Sequence, residues 1–270
     1  MENFLLKKEH KIIVGIICSL LGLGLILIEY FLGAEWKKFL TYFVNILGSI
    51  ILFIGSTFLY ISFNKAGERK LSVRQMTLVG IMSSLSVILY YFLKFNLPFF
   101  PPWLDIQVSE IPALITGFAY GPYTGVLVIF IRFVVKLPAT ITAGVGEVAD
   151  LILSSVLVYI SSLTYAKERT IKGALKGTII GVIGCTILSI FVNWFILIPA
   201  YVNIAHFPLP ALAGMLKDTT GLNVTPDNFM FYYLLVGVLP FNLFRYVLVA
   251  VFTFLLYKRT HMVLKKLSKR

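Results

Sequence analysis

Six charged side chains interrupt a largely apolar stretch of the chain, positions 97–150, in which Pro and Gly also break the apolar runs. Unpaired charge and unsatisfied backbone groups are costly inside a membrane, so residues that keep them there usually line a binding site or a pathway. This stretch is therefore the first place where we expect function. Its charged residues are Asp105, Glu110, Arg132, Lys136, Glu147 and Asp150.

Two of these carboxylates, Glu147 and Asp150, are three residues apart, a spacing that acid–base catalysis could use. No metal-ligating or nucleophilic set supports that chemistry, because the His residues are scattered and Cys18 and Cys185 lie alone in separate apolar runs. The chain also has no G-x-x-x-x-G-K-[ST] loop for a nucleotide phosphate. We therefore predict a protein that is not an enzyme and holds neither a metal nor a cofactor.

The composition explains why charges in this stretch matter. Of the 270 residues, 59% are hydrophobic and 13% are charged, and the mean hydropathy is +0.90, which indicates a multi-pass membrane protein. The net charge of +12 could suggest nucleic acid as a partner. The basic residues lie in short loops between apolar runs, however, so they follow the positive-inside rule and we predict no nucleic-acid partner.

Eight apolar spans can be recognised, and the fourth is short for a crossing that needs about 20 residues. The distribution of Lys and Arg places both termini on the cytoplasmic side of the cell membrane. The spans are 12–32, 39–63, 76–94, 108–120, 121–137, 146–165, 177–200 and 229–257.

This topology brings further polar residues to the outer half of the membrane. Asn193 and Tyr201 lie in the outer part of the seventh span, and Asn242 and Arg245 lie three residues apart in the eighth. Together with the charges of the 97–150 stretch, they could bind a polar small molecule that arrives from outside. The alternative is that the charged residues only neutralise one another within the bundle.

A polar, basic segment at 64–74 divides the chain into two parts. We predict an accessory transmembrane hairpin at 1–63, a cytoplasmic linker at 64–74 and a six-helix core at 75–270. Small residues at helical spacing, such as Gly80 and Ser84 in the third span, allow helices to approach closely. They serve either packing within the bundle or a surface for a partner membrane protein.

Several segments in the core resemble one known family. The residues that carry the resemblance occur in order over 75–265 and are PFFPPWLDIQVSEIPALITGFAYGPYTGVLV, GVGEVAD, NWFILIPAY and PFNLFRYVLVAVFTFLLYKR. They resemble the substrate-binding S components of energy-coupling-factor (ECF) vitamin transporters, and most of all the riboflavin-specific S component. The N-terminal hairpin is additional to the six helices of that family.

The resemblance implies an all-α, six-helix membrane fold that binds riboflavin near the outer face as a transported ligand. It also implies a membrane scaffold subunit and two cytoplasmic ATPase subunits as partners, and a toppling movement within the bilayer when ATP is used. The loop at about 95–109 is expected to cap the ligand. Gly80 and Ser84 are the nearest equivalent of the family's small-residue face, which docks on the scaffold.

The charge, position and aromatic character of other residues suggest supporting roles. Arg132 and Asp150 are expected to form supporting ion pairs, Trp103 to support the site as an aromatic, and Lys136 only to mark the outer interface. The resemblance itself assigns the ligand contacts. Arg245 stands where riboflavin-binding relatives tend to carry Lys in PFNxxK, which leaves FMN open as a ligand because a guanidinium can hold a phosphate. The expected ligand-binding residues are Asp105, Glu147, Asn193, Tyr201, Asn242 and Arg245.

Two alternatives to riboflavin binding remain at this point. The same fold could bind FMN, pantothenate or another vitamin. A protein of a different class, an integral-membrane enzyme acting on lipid-linked substrates, would need a nucleophile or metal set that the sequence lacks.

Overall fold

The structure, a computed structural model, describes residues 72–140, 144–203 and 206–268, together with Ile17 and Ser19. Apart from those two residues, the predicted accessory hairpin at 1–63 lies outside the described residues, and so does most of the predicted linker at 64–74. The two chain termini, which we predict to be cytoplasmic, lie outside them as well.

The described part is helical, which confirms the predicted all-α class, and it contains the six predicted core helices plus one that the sequence did not predict. An isolated antiparallel bridge between Phe95 and Ile106 accompanies them. The helices are α1 (Val73–Phe92), α2 (Ile111–Tyr120), α3 (Pro122–Lys136, with a 3-10 turn Leu137–Ala139), α4 (Val145–Glu168), α5 (Ile171–Val192, π-helical Asn193–Leu197 and Ile198–Asn203), α6 (Leu209–Thr220) and α7 (Phe229–Tyr232, π-helical Tyr233–Val238 and Leu239–Ser268).

Five of these helices, α1, α3, α4, α5 and α7, are long and apolar enough to cross a membrane. The helix α2 has only 10 residues, so at 1.5 Å per residue it spans about 15 Å, half of a hydrocarbon core of about 30 Å. This agrees with the prediction that the fourth span is too short to cross alone. Among the five long helices, α1 buries the smallest share of its residues within the protein.

A sharp corner joins α2 to α3. Gly121 adopts φ +105° and ψ 168°, a conformation that a residue with a Cβ rarely takes. Pro122 follows at the first position of α3, where its fixed φ suits a helix start and its missing N–H is not needed. The corner folds α3 back along α2, so that Glu110, immediately before α2, approaches Arg132 of α3.

Glycines in α5 allow the close contact between α4 and α5. A Cβ added to Gly177 would lie 2.5 Å from the carbonyl oxygen of Ser161 in α4, and one added to Gly181 would lie 2.4 Å from the Ser161 Oγ and 3.1 Å from the Leu157 carbonyl oxygen. These glycines therefore serve packing inside the bundle. By contrast, Gly80 of α1 has no neighbouring atom within 4 Å of an added Cβ.

We expect Gly177→Ala to destabilise the protein by about 1–3 kcal/mol, because the new methyl group meets backbone that cannot rotate away. The measurement is thermal unfolding of the detergent-purified protein. The matched control is Gly184→Ala in the same helix, whose added Cβ would make only an ordinary contact at 3.5 Å with Ile160. Equal melting temperatures for the two variants would contradict the packing argument.

The unpredicted helix, α6, lies between α5 and α7. It buries Leu212, Ala213 and Leu216 against the main core, while Lys217 and Asp218 in its last turn are exposed. Twelve residues with charge at one end are too few and too polar for a membrane span, which is why the span pattern did not show this helix.

Candidate functional site

A cavity of about 430 Å³ lies among the loop between α1 and α2 (residues 93–110, below called the cap loop), the start of α4, the π-helical part of α5, and α7. This volume is within the usual range for small-molecule sites, roughly 300–1,000 Å³. All six predicted ligand-binding residues line it, as do two of the three predicted supporting residues. These are Trp103, Asp105, Glu147, Asp150, Asn193, Tyr201, Asn242 and Arg245.

Asp150 is the centre of a buried charge network at one wall of the cavity. Its carboxylate lies 2.9 Å from a guanidinium nitrogen of Arg132, 2.7 Å from the Lys136 ammonium and 2.6 Å from a guanidinium nitrogen of Arg245. Glu110 is fully buried and pairs with both Arg245 and Arg132. The network therefore joins the cap loop, α3, α4 and α7 around the ligand-sized space.

Neutral side chains add hydrogen bonds to this network. The Ser154 hydroxyl donates to Glu110 Oε1 at 3.0 Å and accepts from Arg132 at 3.0 Å. The Gln107 amide donates to Asp150 Oδ1 at 3.0 Å, and Ser109 accepts from Arg132. These bonds matter because an ion pair in a low-dielectric interior is costly when its remaining polar atoms lack partners. Three atoms of the network, Glu110 Oε2, Arg132 Nε and Arg245 Nε, have no hydrogen-bond partner among the described residues.

Lys136 corrects one expectation from the sequence. We expected it only to mark the outer interface, but its side chain is 4% exposed and its ammonium contacts Asp150 and lies 4.0 Å from the centre of the Tyr90 ring. The physical reason is that Arg132 and Lys136 are four residues apart on one face of α3, and that face is turned towards α4. The carboxylate of Asp150 therefore holds both cations.

Glu110 was named from the sequence as a charge but not chosen as a site residue. It lies 135 positions before Arg245, its partner across the bundle. Because Glu110 lies directly before α2, the sequence indicated a loop residue near the outer surface. Only the packing of α7 against α2 shows that it is a buried counter-ion.

The two predicted asparagines have fixed orientations. The Nδ2 groups of Asn193 and Asn242 donate to the carbonyls of Ser189 and Val238, each at 2.8 Å. Because a carbonyl can only accept, Oδ1 of each amide must point elsewhere. Oδ1 of Asn193 accepts from the Tyr233 hydroxyl at 2.9 Å, whereas Oδ1 of Asn242 accepts no hydrogen bond from any residue in the described part of the chain.

The remaining predicted acids lie apart from the network. Glu147 accepts from the Thr140 hydroxyl at 2.7 Å, next to the glycine turn that begins α4. Asp105 is in the cap loop and pairs with Lys94 at 2.5 Å, where both side chains are partly exposed. Glu147 is therefore placed on the inner lining of the cavity and Asp105 at its more exposed rim.

The cap loop is held down on α7 at two points. Its base is closed by backbone hydrogen bonds between Phe95 and Ile106, at 2.9 and 3.1 Å. The Phe100 ring packs edge-on against Phe241 of α7 with centroids 5.3 Å apart, and the Trp103 Nε1–H donates to the Tyr233 hydroxyl at 3.3 Å. The loop therefore covers the cavity in this structure.

No metal centre competes with this interpretation within residues 72–140, 144–203 and 206–268, where no group of three or more His, Cys, Asp or Glu side chains is placed to hold a metal ion. The polar groups of the cavity are amides, hydroxyls and paired charges. They suit recognition of an organic molecule by hydrogen bonds.

Comparisons with known proteins agree on one family. A family model described as "ECF transporter, substrate-specific component" matches residues 74–257. The riboflavin transporter RibU of Staphylococcus aureus (strain TCH60) is 29% identical over 203 residues, which cover 74% of this chain and 99% of that protein. The riboflavin transporter FmnP of Bacillus subtilis (strain 168) is 28% identical over 184 residues, 67% of this chain and 88% of that protein.

The fold has a counterpart among solved structures. One described as "Structure and mechanism of the S component of a bacterial ECF transporter" superposes with a TM-score of 0.55 at 24% identity, covering 71% of this chain and 98% of that one. At this level of identity the likeness shows that the two proteins share a fold.

Proposed function

The chain belongs to the substrate-specific components of ECF transporters, and on that premise we propose that the substrate it captures at the outer face of the cell membrane is riboflavin. Family membership makes it a multi-pass membrane protein that serves transport and is not an enzyme. The alternative of an enzyme acting on lipid-linked substrates is thereby removed. The relatives at 26–29% identity are named riboflavin transporters, which supports a flavin as the ligand.

The observation that carries the proposal is the electrical neutrality of a polar, flavin-sized cavity. Among the described residues that line the cavity or lie directly beneath it, four cations face four carboxylates. They are Lys94, Arg132, Lys136 and Arg245, against Asp105, Glu110, Glu147 and Asp150. A neutral site favours an uncharged ligand, because an unpaired charge is costly to bury.

The equal number of cations and carboxylates favours riboflavin over the other vitamins that the same fold could bind. Riboflavin is uncharged and carries an imide and several hydroxyls, whereas pantothenate has a carboxylate and FMN a phosphate. Arg245, the residue that left FMN open, already contacts Glu110 and Asp150. A phosphate at this position would have to displace a buried carboxylate.

The proposed binding mode uses the side chains that the sequence singled out. Oδ1 of Asn242 accepts from a flavin N–H, and Asn193, Glu147 and Arg245 contact the other polar groups of the ligand. Trp103 and Tyr201 provide aromatic surface for the ring system. Asp105, at the rim, lies where the ligand enters.

A titration tests the proposed function. We expect riboflavin added to the detergent-purified protein to lose its fluorescence with a dissociation constant below 1 µM, roughly −8 kcal/mol or stronger. FMN should bind at least about tenfold more weakly, by at least about 1.4 kcal/mol, and excess pantothenate should not displace riboflavin. Failure of riboflavin to bind, or displacement by pantothenate, would overturn the assignment.

We further propose that the protein works with a membrane scaffold subunit and two cytoplasmic ATPase subunits, as the family description of a transporter component suggests. The docking face proposed on α1 includes Gly80 and Ser84. Gly80 leaves open space beside the helix, and Ser84 is exposed with its hydroxyl bonded to the Gly80 carbonyl at 3.1 Å. A small, flat face of this kind suits close approach of a partner helix.

The proposed division of the chain draws support from the helix start. The helix α1 begins at Val73 and has a capping box at its start. The Ser72 N–H donates to Gln75 Oε1 at 2.9 Å, and the Gln75 N–H donates to Ser72 Oγ at 3.3 Å. The family match likewise begins at residue 74. We therefore propose that residues 1–63 form an accessory hairpin joined to the core by the linker, with both termini in the cytoplasm.

A further inference from the structure

Tyr233 lies between the cap loop and the ligand cavity. The residue is fully buried, it is not among the residues that line the cavity, and none of the sequence patterns singled it out. Its hydroxyl accepts a hydrogen bond from Trp103 Nε1 of the cap loop at 3.3 Å and donates one to Oδ1 of Asn193 at 2.9 Å. One oxygen atom therefore connects the loop over the cavity with an amide that lines it.

The direction of this hydrogen-bond chain is fixed by chemistry. The Trp103 indole can only donate, and Nδ2 of Asn193 is committed to the Ser189 carbonyl at 2.8 Å. The single hydroxyl hydrogen of Tyr233 must therefore go to Oδ1 of Asn193. No other arrangement of protons satisfies these atoms, so the Tyr233 hydroxyl joins the indole of the cap loop to the amide that lines the cavity.

The backbone is irregular at both ends of the Tyr233–Asn193 hydrogen bond. The π-helical segment of α5 begins at Asn193, and that of α7 begins at Tyr233. A π-helical turn inserts an extra residue into an α-helix and is frequent at functional sites. Two such turns meeting at one hydrogen bond show that α5 and α7 both depart from regular geometry where this contact forms.

The ring of Tyr233 is held independently of its hydroxyl. It stacks on Phe229 with centroids 5.2 Å apart and planes 10° apart, and its centroid lies 6.0 Å from that of Trp103. Replacing Tyr233 with Phe should therefore remove the hydrogen bonds and leave the packing.

From this geometry we propose that Tyr233 is a positioning residue that links closure of the cap loop to the orientation of Asn193, so that a ligand bound at Asn193 holds the loop closed. The proposal rests on the proposed function, because it concerns how that ligand is retained. By linkage, loop closure and ligand binding must strengthen each other equally. Loss of the Tyr233 hydroxyl should then speed the release of the ligand, while its capture from solution stays nearly unchanged.

The test uses the full chain with Trp36 and Trp194 replaced by Phe, which leaves Trp103 as the single tryptophan of the three in the sequence. In this background we expect Tyr233→Phe to raise the riboflavin dissociation rate about tenfold and to change the association rate less than twofold. In the ligand-free protein, Trp103 should become more accessible to acrylamide. Stopped-flow flavin fluorescence and acrylamide quenching provide the two measurements.

The matched control is Tyr165→Phe. Tyr165 is also buried and its hydroxyl bonds that of Tyr257 at 2.8 Å, but it lies near the opposite end of α4 from Glu147. This control should release riboflavin at the parent rate. If Tyr233→Phe also releases at the parent rate, or if both variants release equally faster, the proposal is wrong.

A second variant keeps the proposal testable if Tyr233→Phe does not fold. Trp103→Phe keeps an aromatic ring beside the ligand but cannot donate to Tyr233, so it breaks the same chain from the loop end. It should speed release by a similar factor, whereas unchanged release would overturn the link. A parent protein that fails to bind riboflavin would refute the proposed function alone. The acrylamide comparison between Tyr233→Phe and Tyr165→Phe would then still decide whether Tyr233 holds the loop.

Discussion

Replacing Asp150 with Asn should destabilise the protein by about 3–5 kcal/mol and abolish riboflavin binding. The carboxylate contacts three cations at 2.6–2.9 Å, and all of these side chains are at least nine-tenths buried. Asparagine has nearly the same shape, so the substitution removes the charge with little change in volume. Among the described residues it leaves Glu110 as the one carboxylate in direct contact with cations of the network. An uncompensated buried charge carries a penalty of this size.

The measurement is thermal unfolding of the ligand-free protein in detergent, followed by riboflavin titration. The control is Asp218→Asn, which removes the same charge from an exposed position in the last turn of α6. That variant should melt and bind like the parent. An Asp150→Asn variant that melted with the parent would show that the network is not needed for the fold.

Asp150 also shows where prediction from the sequence stops. The sequence placed Asp150 in a supporting ion pair, but it did not show Lys136 and Arg245 as further partners, because the sequence displays only neighbours along the chain. Its partners come from α3 and α7, up to 95 positions away. The same limit explains Glu110, which looked like a loop residue, and Lys136, which looked like an interfacial lysine.

The architecture was easier to predict than these pairings. Apolar spans and the distribution of basic residues are read from short stretches of the sequence. The six predicted core helices, including the short α2, could therefore be recognised. The PFFPPW segment of the cap loop was recognisable as a break in the span pattern. The residues of α7 that hold the loop, Phe241 and Tyr233, could not be recognised, because the loop and α7 are far apart in the chain. The sequence also does not distinguish an apolar helix residue that contacts lipid from one that contacts a loop.

Replacing Asn242 with Ala should raise the riboflavin dissociation constant about 10- to 100-fold while leaving the fold intact. The amide nitrogen of Asn242 is held by the Val238 carbonyl, so Oδ1 is a fixed acceptor at the cavity wall. Without it, a buried N–H of the flavin loses its partner, which costs about 1–3 kcal/mol. The exposed Asn203→Ala at the end of α5 is the control and should bind like the parent.

A modified ligand makes this prediction specific to one hydrogen bond. N3-methylriboflavin lacks the imide N–H, so it should bind the parent more weakly than riboflavin by about the same factor as the substitution. If Oδ1 of Asn242 accepts from that N–H, the Asn242→Ala variant should bind riboflavin and the methylated ligand almost equally, because the interaction can be lost only once. If the losses of binding free energy from the substitution and from the methyl group add fully, Asn242 contacts another part of the flavin. The proposed contact between Oδ1 and the imide N–H would then be wrong.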